Sequence, residues 1–250
     1  MLSSAIAPII TLSRLQHPLP SGRKNSLLQW QIFGASAFLV SIPVFVQAPL
    51  VRLYPEISLL STIVWLAVSL ILIFSQKTQV WGDLLLGFTG SWLAGSIYWG
   101  WMRWEPIWHL PVESIGLPFA VWCLHKSWGK VGSYFYLGSL FGTAITDLYF
   151  YLTGLMPYWR QVMRAEPELA MPIFQSAIGQ IETSWGIVSA VVLIVVLLVV
   201  GLLGLRDRTL HWRAFSGAVL STLLVDGLFL VGCFCCLMFC NRRCRRMDAD

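Results

Sequence analysis

WGIVSAVVLIVVLLVVGLLGL, residues 185–205, is the stretch that decides the fold. It sits inside twenty-three consecutive uncharged positions between Glu182 and Arg206. At about 1.5 Å per residue, a helix of that length covers a hydrocarbon core of about 30 Å. Working outward, further apolar segments lie at roughly 28–50, 57–75, 80–101, 107–125, 131–156 and 214–239. Apolar residues make up 57% of the 250, and only 12% are charged. A soluble domain carries about a quarter charged residues, so most of this chain belongs in lipid.

In lipid every backbone N–H and C=O must be satisfied internally, which favours helices. The long runs also exclude the short alternating segments of an outer-membrane barrel. The expected fold is therefore all-α, a polytopic transmembrane helical bundle of six or seven spans. The fourth segment carries Pro106, Pro111 and Pro118 and is expected to be proline-broken or re-entrant. Pro43 and Pro49 should kink the first segment near its far end. The expected organisation is a flexible basic N-terminal arm (1–26), a transmembrane helical domain (27–240) and a basic C-terminal tail (241–250).

Charge does not settle the orientation. With seven spans and the N-terminus inside, basic residues divide nine inside to eight outside; six spans give ten to seven, a slight preference for an even count. The net charge of +5 gathers at the ends of apolar runs and at the termini, as juxtamembrane anchors do. It forms no basic surface for nucleic acid. No acid precedes Glu56, a pattern shared with transit peptides, while the short apolar stretch before Arg14 argues against a cleaved secretory signal. No Walker loop, dinucleotide glycine motif, HExxH or GxSxG occurs.

Three acids interrupt the apolar runs: Glu113, Asp147 and Asp226. An ionisable group at the bilayer centre costs about 2.5–3.5 kcal/mol, so such residues turn toward a bundle interior, a partner or water. They are the candidate substrate or ion site, expected near mid-depth. Thr143 and Thr222 stand four residues before Asp147 and Asp226, on the same helical faces, positioned to donate hydrogen bonds to them. Gly138, Thr143, Asp147 and Phe150 recur seventy-nine positions later as Gly217, Thr222, Asp226 and Phe229, as a parallel internal repeat or by chance. Glu105, His109 and Glu113 are spaced by four, so a continuous helix would align them. These oxygens with one imidazole would suit Mn or Fe better than a soft metal, but neither a metal nor a cofactor is assigned. Asp83 is read as an interfacial or capping acid.

Trp92, Trp99, Trp101, Trp104 and Trp108 crowd around Arg103 and Glu105. They read as a headgroup-level belt, or as a cleft for a lipid, quinone or isoprenoid ring with Arg103 over an aromatic face. Gly138 with Gly142, and Gly90 with Ala94, permit close helix approach. Cys233, Cys235, Cys236, Cys240 and Cys244 lack paired metal spacing and read as small apolar residues. In the loop 157–184, Phe174, Ile178, Ile181 and Trp185 recur at helical spacing, which suits an interfacial helix or lid as well as a plain connector.

Two stretches, WMRWEPIWHLPVESIGLP (Trp101–Pro118) and GSLFGTAITDLYFYLTGLMPYWRQVM (Gly138–Met163), resemble a family of cyanobacterial integral membrane proteins known as a domain of unknown function. The resemblance spans about 28–230 and implies a plasma or thylakoid membrane, without an activity. The HLPVES run (His109–Ser114) is similar to the Pro-x-Glu-Glu element of membrane-embedded lycopene cyclases, with Ser114 in place of the second acid. GSLFGTAITD is similar to the Asp-bearing helices of vitamin-uptake substrate-binding components.

The leading expectation is a small-solute or ion-coupled permease, or a transport subunit, with a midplane carboxylate site. The alternatives are a membrane-embedded enzyme acting on an isoprenoid, pigment or lipid, and a scaffold subunit of a photosynthetic membrane complex. The bilayer is the one partner common to all three.

Overall fold

The computed structural model describes residues 22–247, with side chains for residues 26–166 and 169–228. The first part of the basic arm, the last three residues of the tail, the side chain of Phe229 and those of the five late cysteines lie outside the described residues. Among the described residues the chain is all-helical.

Helix α1 (Gly22–Ile42) passes through a π-helical turn at Pro43–Gln47 into α2 (Ala48–Leu53). Pro43, which has no N–H to donate, begins that wider turn, so the expected kink takes the form of a local change of pitch. Helix α3 (Pro55–Phe74) returns, and α4 (Gln79–Ile97) ends in a second π turn at Tyr98–Met102. A 3-10 turn at Pro106–Trp108 leads into the five-residue α5 (His109–Glu113), another 3-10 turn at Ser114–Gly116, and α6 (Leu117–His125). Then come α7 (Lys130–Leu152), α8 (Met156–Arg164), α9 (Pro167–Ile181), α10 (Ser184–Arg206) and α11 (Leu210–Met247).

Among the described residues four stretches are long and apolar enough to cross a membrane: Ser26–Leu53, Pro55–Phe74, Pro106–His125 and Ser184–Arg206. Helices α4, α7 and α11 match the other expected segments in position, and α4 and α7 are richer in Gly, Ser and Thr. Several of those small residues, among them Gly95 and Ser96 of α4 and Gly132, Ser133, Gly138 and Gly142 of α7, are buried. The core is built from Ile32 and Leu39 of α1, Leu84, Phe88 and Trp92 of α4, Val131 and Phe135 of α7, and Ala214 and Ala218 of α11. The greasiest helices, α3 and α10, stand outside it with Ile63, Ile71, Val191 and Leu202 exposed. This is the division a bilayer imposes, since lipid contact requires only apolar side chains whereas helix contact requires close backbones.

Glycines set the close contacts. A Cβ on Gly132 of α7 would collide with the backbone carbonyl of Asp83 in α4, and one on Gly138 would lie 2.7 Å from the Phe215 carbonyl of α11. Gly142 faces Thr222 at the same seam. The pairings Gly138 with Ala218 and Gly142 with Thr222 advance together, so α7 and α11 run parallel. The two expected repeat motifs therefore lie side by side in one interface, a residue out of step.

Gly132→Ala should lower stability by about 1–3 kcal/mol through this clash. Gly34→Ala, where nothing lies within 4 Å, should be neutral or slightly stabilising. Unfolding midpoints in detergent check this; equal midpoints for the two variants would contradict the packing.

Candidate functional site

The chain around His109 alternates between 3-10 and α turns rather than running as one regular α-helix. Pro106, Pro111 and Pro118 each remove a donor, and the segment breaks into a 3-10 turn, α5, a second 3-10 turn and α6. Backbone groups freed at such a break need protein partners at membrane depth. Tyr136 of α7 supplies them. Its hydroxyl accepts a hydrogen bond from Gly116 N at 3.0 Å and donates to the Glu113 carbonyl. Gly116 must be small there, because a Cβ would reach the Tyr136 ring at 2.9 Å.

Helix α5 thus presents His109 and Glu113 toward α7. His109 Nδ1 lies 2.8 Å from Asp147 Oδ1, with both side chains about one-fifth exposed. The imidazole also packs against Tyr98, ring centroids 4.3 Å apart, and against Trp99 at 6.0 Å. Tyr98 is fully buried in the π turn at the end of α4, and its hydroxyl has no hydrogen-bond partner among the described residues. Asp147 lies five residues, about 7.5 Å, before the end of α7. The pair therefore sits toward one end of the bundle, because α7 stops at Leu152 rather than running on to 156.

Glu105 does not join His109 and Glu113 in a single stripe. The break at Pro106 turns it to α8, where it accepts from Arg160 Nε at 3.0 and 3.1 Å and from Nη2 at 2.6 Å. The guanidinium holds this carboxyl below its ordinary value. Trp159, the next residue on α8, donates to the Arg103 carbonyl at 2.8 Å and packs on Trp99 and Phe150. Helix α8 is in this way strapped beside the His109–Asp147 pair. Arg103 contributes its carbonyl, and among the described residues the cation–π contact is Arg213 over Trp30, 4.9 Å from the ring centre.

The acids separate into two groups. Asp226, expected alongside Asp147, instead accepts a hydrogen bond from Thr146 of α7 at 2.9 Å. Neither Thr143 nor Thr222 makes the expected bond to its own acid among the described residues. Thr222 donates to the Ala218 carbonyl within α11 and packs on Gly142. The close parallel seam explains this: it brings Thr146, one residue before Asp147, opposite Asp226. Among the described residues no three His, Cys, Asp or Glu side chains converge to hold a metal ion. Asp83 does cap a helix, but a neighbouring one, accepting from Val131 N at 2.9 Å and Gly132 N at 3.1 Å at the start of α7.

The tryptophans also divide. Trp92 is core, donating to the Ser58 carbonyl and the Ser61 hydroxyl at 3.0 and 2.9 Å, whereas Trp101, Trp104 and Trp108 are exposed. A second polar group lies nearby. Gln47, fully buried in the first π turn, donates to the Trp92 carbonyl at 2.6 Å and to the Ser96 hydroxyl at 2.9 Å. The Ser58 and Ser96 hydroxyls are 2.8 Å apart.

A family model described as "Protein of unknown function (DUF3120)" matches residues 36–234, most of the chain. The chain belongs to this family. No curated protein and no solved structure matches it. The matched region of this DUF3120 protein contains every residue of the two acid groups and both π turns.

The Glu105–Arg160 pair is the strap's test. Glu105→Gln and Arg160→Gln should each speed amide exchange in α8, and the double variant should add little more. Because the folded carboxyl titrates below its ordinary range, the pair's contribution is present above that range and lost as pH falls through the depressed value. Exchange in α8 that is independent of both substitutions and of acidification would contradict the strap.

Proposed function

We propose that this protein is a small-solute or ion-coupled permease, or the membrane subunit of one, whose proton- or cation-handling centre is His109, Asp147 and Glu113. The observation that carries the reading is the His109–Asp147 pair, 2.8 Å apart, with Glu113 one helical turn along α5 and, among the described residues, no Lys or Arg bonded to any of them. An imidazole and a carboxylate in contact can hold a proton between them, and the pair's net charge changes by one when it takes a proton from, or releases one to, another group or water. The segment bearing two of the three groups is interrupted, as the binding segments of many transporters are.

On this reading the chain makes seven traverses: α1 with α2, α3, α4, the composite Pro106–His125, α7, α10 and α11. Ends that alternate in sequence meet in space, which supports the odd count. Gln29 donates to the Arg208 carbonyl at one end of the bundle, and Trp185 donates to the Leu152 carbonyl at the other. Asp226 with Thr146 is then a helix-holding pair at the α7–α11 seam, next to the centre in sequence but not part of it. Helices α8 and α9 form a cover over the end where the centre opens.

One observation favours a second reading, an enzyme acting on an isoprenoid or lipid. Ile107, Trp108, Ile115, Phe119 and Trp122 are all exposed, so the segment carrying Glu113 offers an open apolar face toward lipid. Glu113 would then be the general acid.

Flux into proteoliposomes over a panel of metabolites and ions separates the readings. Transport predicts flux that His109→Gln and Asp147→Asn each reduce at least tenfold, on the scale of about 10²–10⁴ typical for a lost proton-transfer group. Asp226→Asn should lower thermal stability more than flux. A well-folded unmodified protein that moves nothing on the panel would end the transport reading. Lipid and pigment profiles altered by gene deletion would then favour the enzyme.

A further inference from the structure

The end of the bundle opposite the His109–Asp147 pair holds a buried arginine that makes no ion pair among the described residues. Arg213, in the second turn of α11, is 8% exposed, and its Nε has no hydrogen-bond partner among the described residues. No carboxylate lies within 4.0 Å of it there. The first fifty-five residues of the chain contain no Asp or Glu, so the N-terminal arm has no carboxylate to offer. The nearest acid in sequence, Asp207, is exposed, accepts the Thr209 N–H at 2.8 Å and attracts Arg213 only from beyond ion-pair distance. Desolvating a guanidinium without a partner costs several kcal/mol, so a lasting site of this kind calls for an anion from outside the chain.

The surroundings add to the deficit. Arg213 is close to the N-terminus of a 38-residue helix, whose first N–H groups lack intrahelical acceptors and whose dipole is positive there. A cation is the wrong charge for that position, whereas an anion would satisfy both the helix end and the guanidinium. Arg206 and Arg208 flank the turn and are exposed, giving the stretch 206–213 three arginines against Asp207 alone among its charged side chains, with His211 the further titratable group. Trp30 of α1 lies over the Arg213 guanidinium and is itself 53% exposed. The turn directly follows the apolar α10, whose exposed Val199, Leu202 and Leu203 place it at the edge of the hydrocarbon.

From this arrangement we infer that the start of α11 is a binding site for the phosphodiester headgroup of an anionic membrane lipid. Arg213 and the free N–H groups of α11 receive the phosphate, Trp30 seats against the glycerol region, and the acyl chains run down the exposed faces of α1 and α10. The lipid, rather than free phosphate, is the occupant because the exposed residues flanking the site on α1 and α10 are apolar. The inference is independent of the transport reading.

The test is the full-length protein in a neutral detergent, titrated with phosphatidylglycerol, phosphatidylcholine or inorganic phosphate, with thermal unfolding and native mass spectrometry as readouts. Phosphatidylglycerol should bind about tenfold more tightly than phosphatidylcholine, the scale of slightly more than one interfacial charge contact. Arg213→Gln should abolish that preference and Asp207→Asn should keep it. Should Arg213→Gln fail to fold, Arg213→Lys together with photo-crosslinking of a phosphatidylglycerol probe to the unmodified protein decides, with label expected at the first turns of α11 or around Trp30. Equal affinity for the two lipids, a preference that survives Arg213→Gln, label confined to other helices, or stabilisation by inorganic phosphate equal to that by the lipid would each overturn the inference.

Discussion

Close approach of helix α7 to its neighbours on two sides is the constraint from which the rest of the structure follows. Gly132 lets α4 touch α7, and Gly138 with Gly142 lets α11 touch it. Between lipid-soluble helices there is no hydrophobic driving force, so association rests on packing and on interhelical hydrogen bonds. Short separations are what make those bonds reachable. Asp83 can cap α7 only because α4 is against it, and Thr146 can reach Asp226 only because α11 is.

The same separation places the polar chemistry. Tyr136 of α7 reaches across to the proline-interrupted segment and satisfies the groups freed at its break. With that break held, His109 meets Asp147 while Glu105 turns away to Arg160. A straight helix through 105–113 would have put all three side chains on one face and left Arg160 without its partner. The prolines thus divide one stripe of ionisable residues between a sheltered pair and a half-buried latch.

Much of this was readable in the residues, for identifiable reasons. Segment positions followed from apolar run lengths, which the bilayer's thickness sets, and Ser184–Arg206 lies within a residue of its expected ends. His109, Glu113, Asp147 and Asp226 stood out because charge is rare in such runs. Their partners did not. Thr143 and Thr222 were chosen by spacing along their own helices, whereas the actual contacts cross between helices, and cross-helix register depends on glycine contacts that no single segment reveals. Tyr98, Tyr136 and Gln47 were missed because Tyr and lone amides are ordinary in membrane helices. A faint signal existed for Gln47, an amide between Pro43 and Pro49 where the helix was expected to distort. Helix α8 was hidden in what read as a loop, its Trp159 and Arg160 meaningful only against Arg103 and Glu105.

The proposed centre requires His109 and Asp147 to be in contact within the folded bundle. Solid-state NMR of imidazole-¹⁵N-labelled protein in lipid tests that contact most directly, with His109→Gln assigning the resonance. The structure predicts that Asp147→Asn moves the His109 Nδ1 signal while Asp226→Asn leaves it in place. A His109 signal indifferent to Asp147→Asn, in a protein that still folds, would contradict the pair and the proposed centre with it.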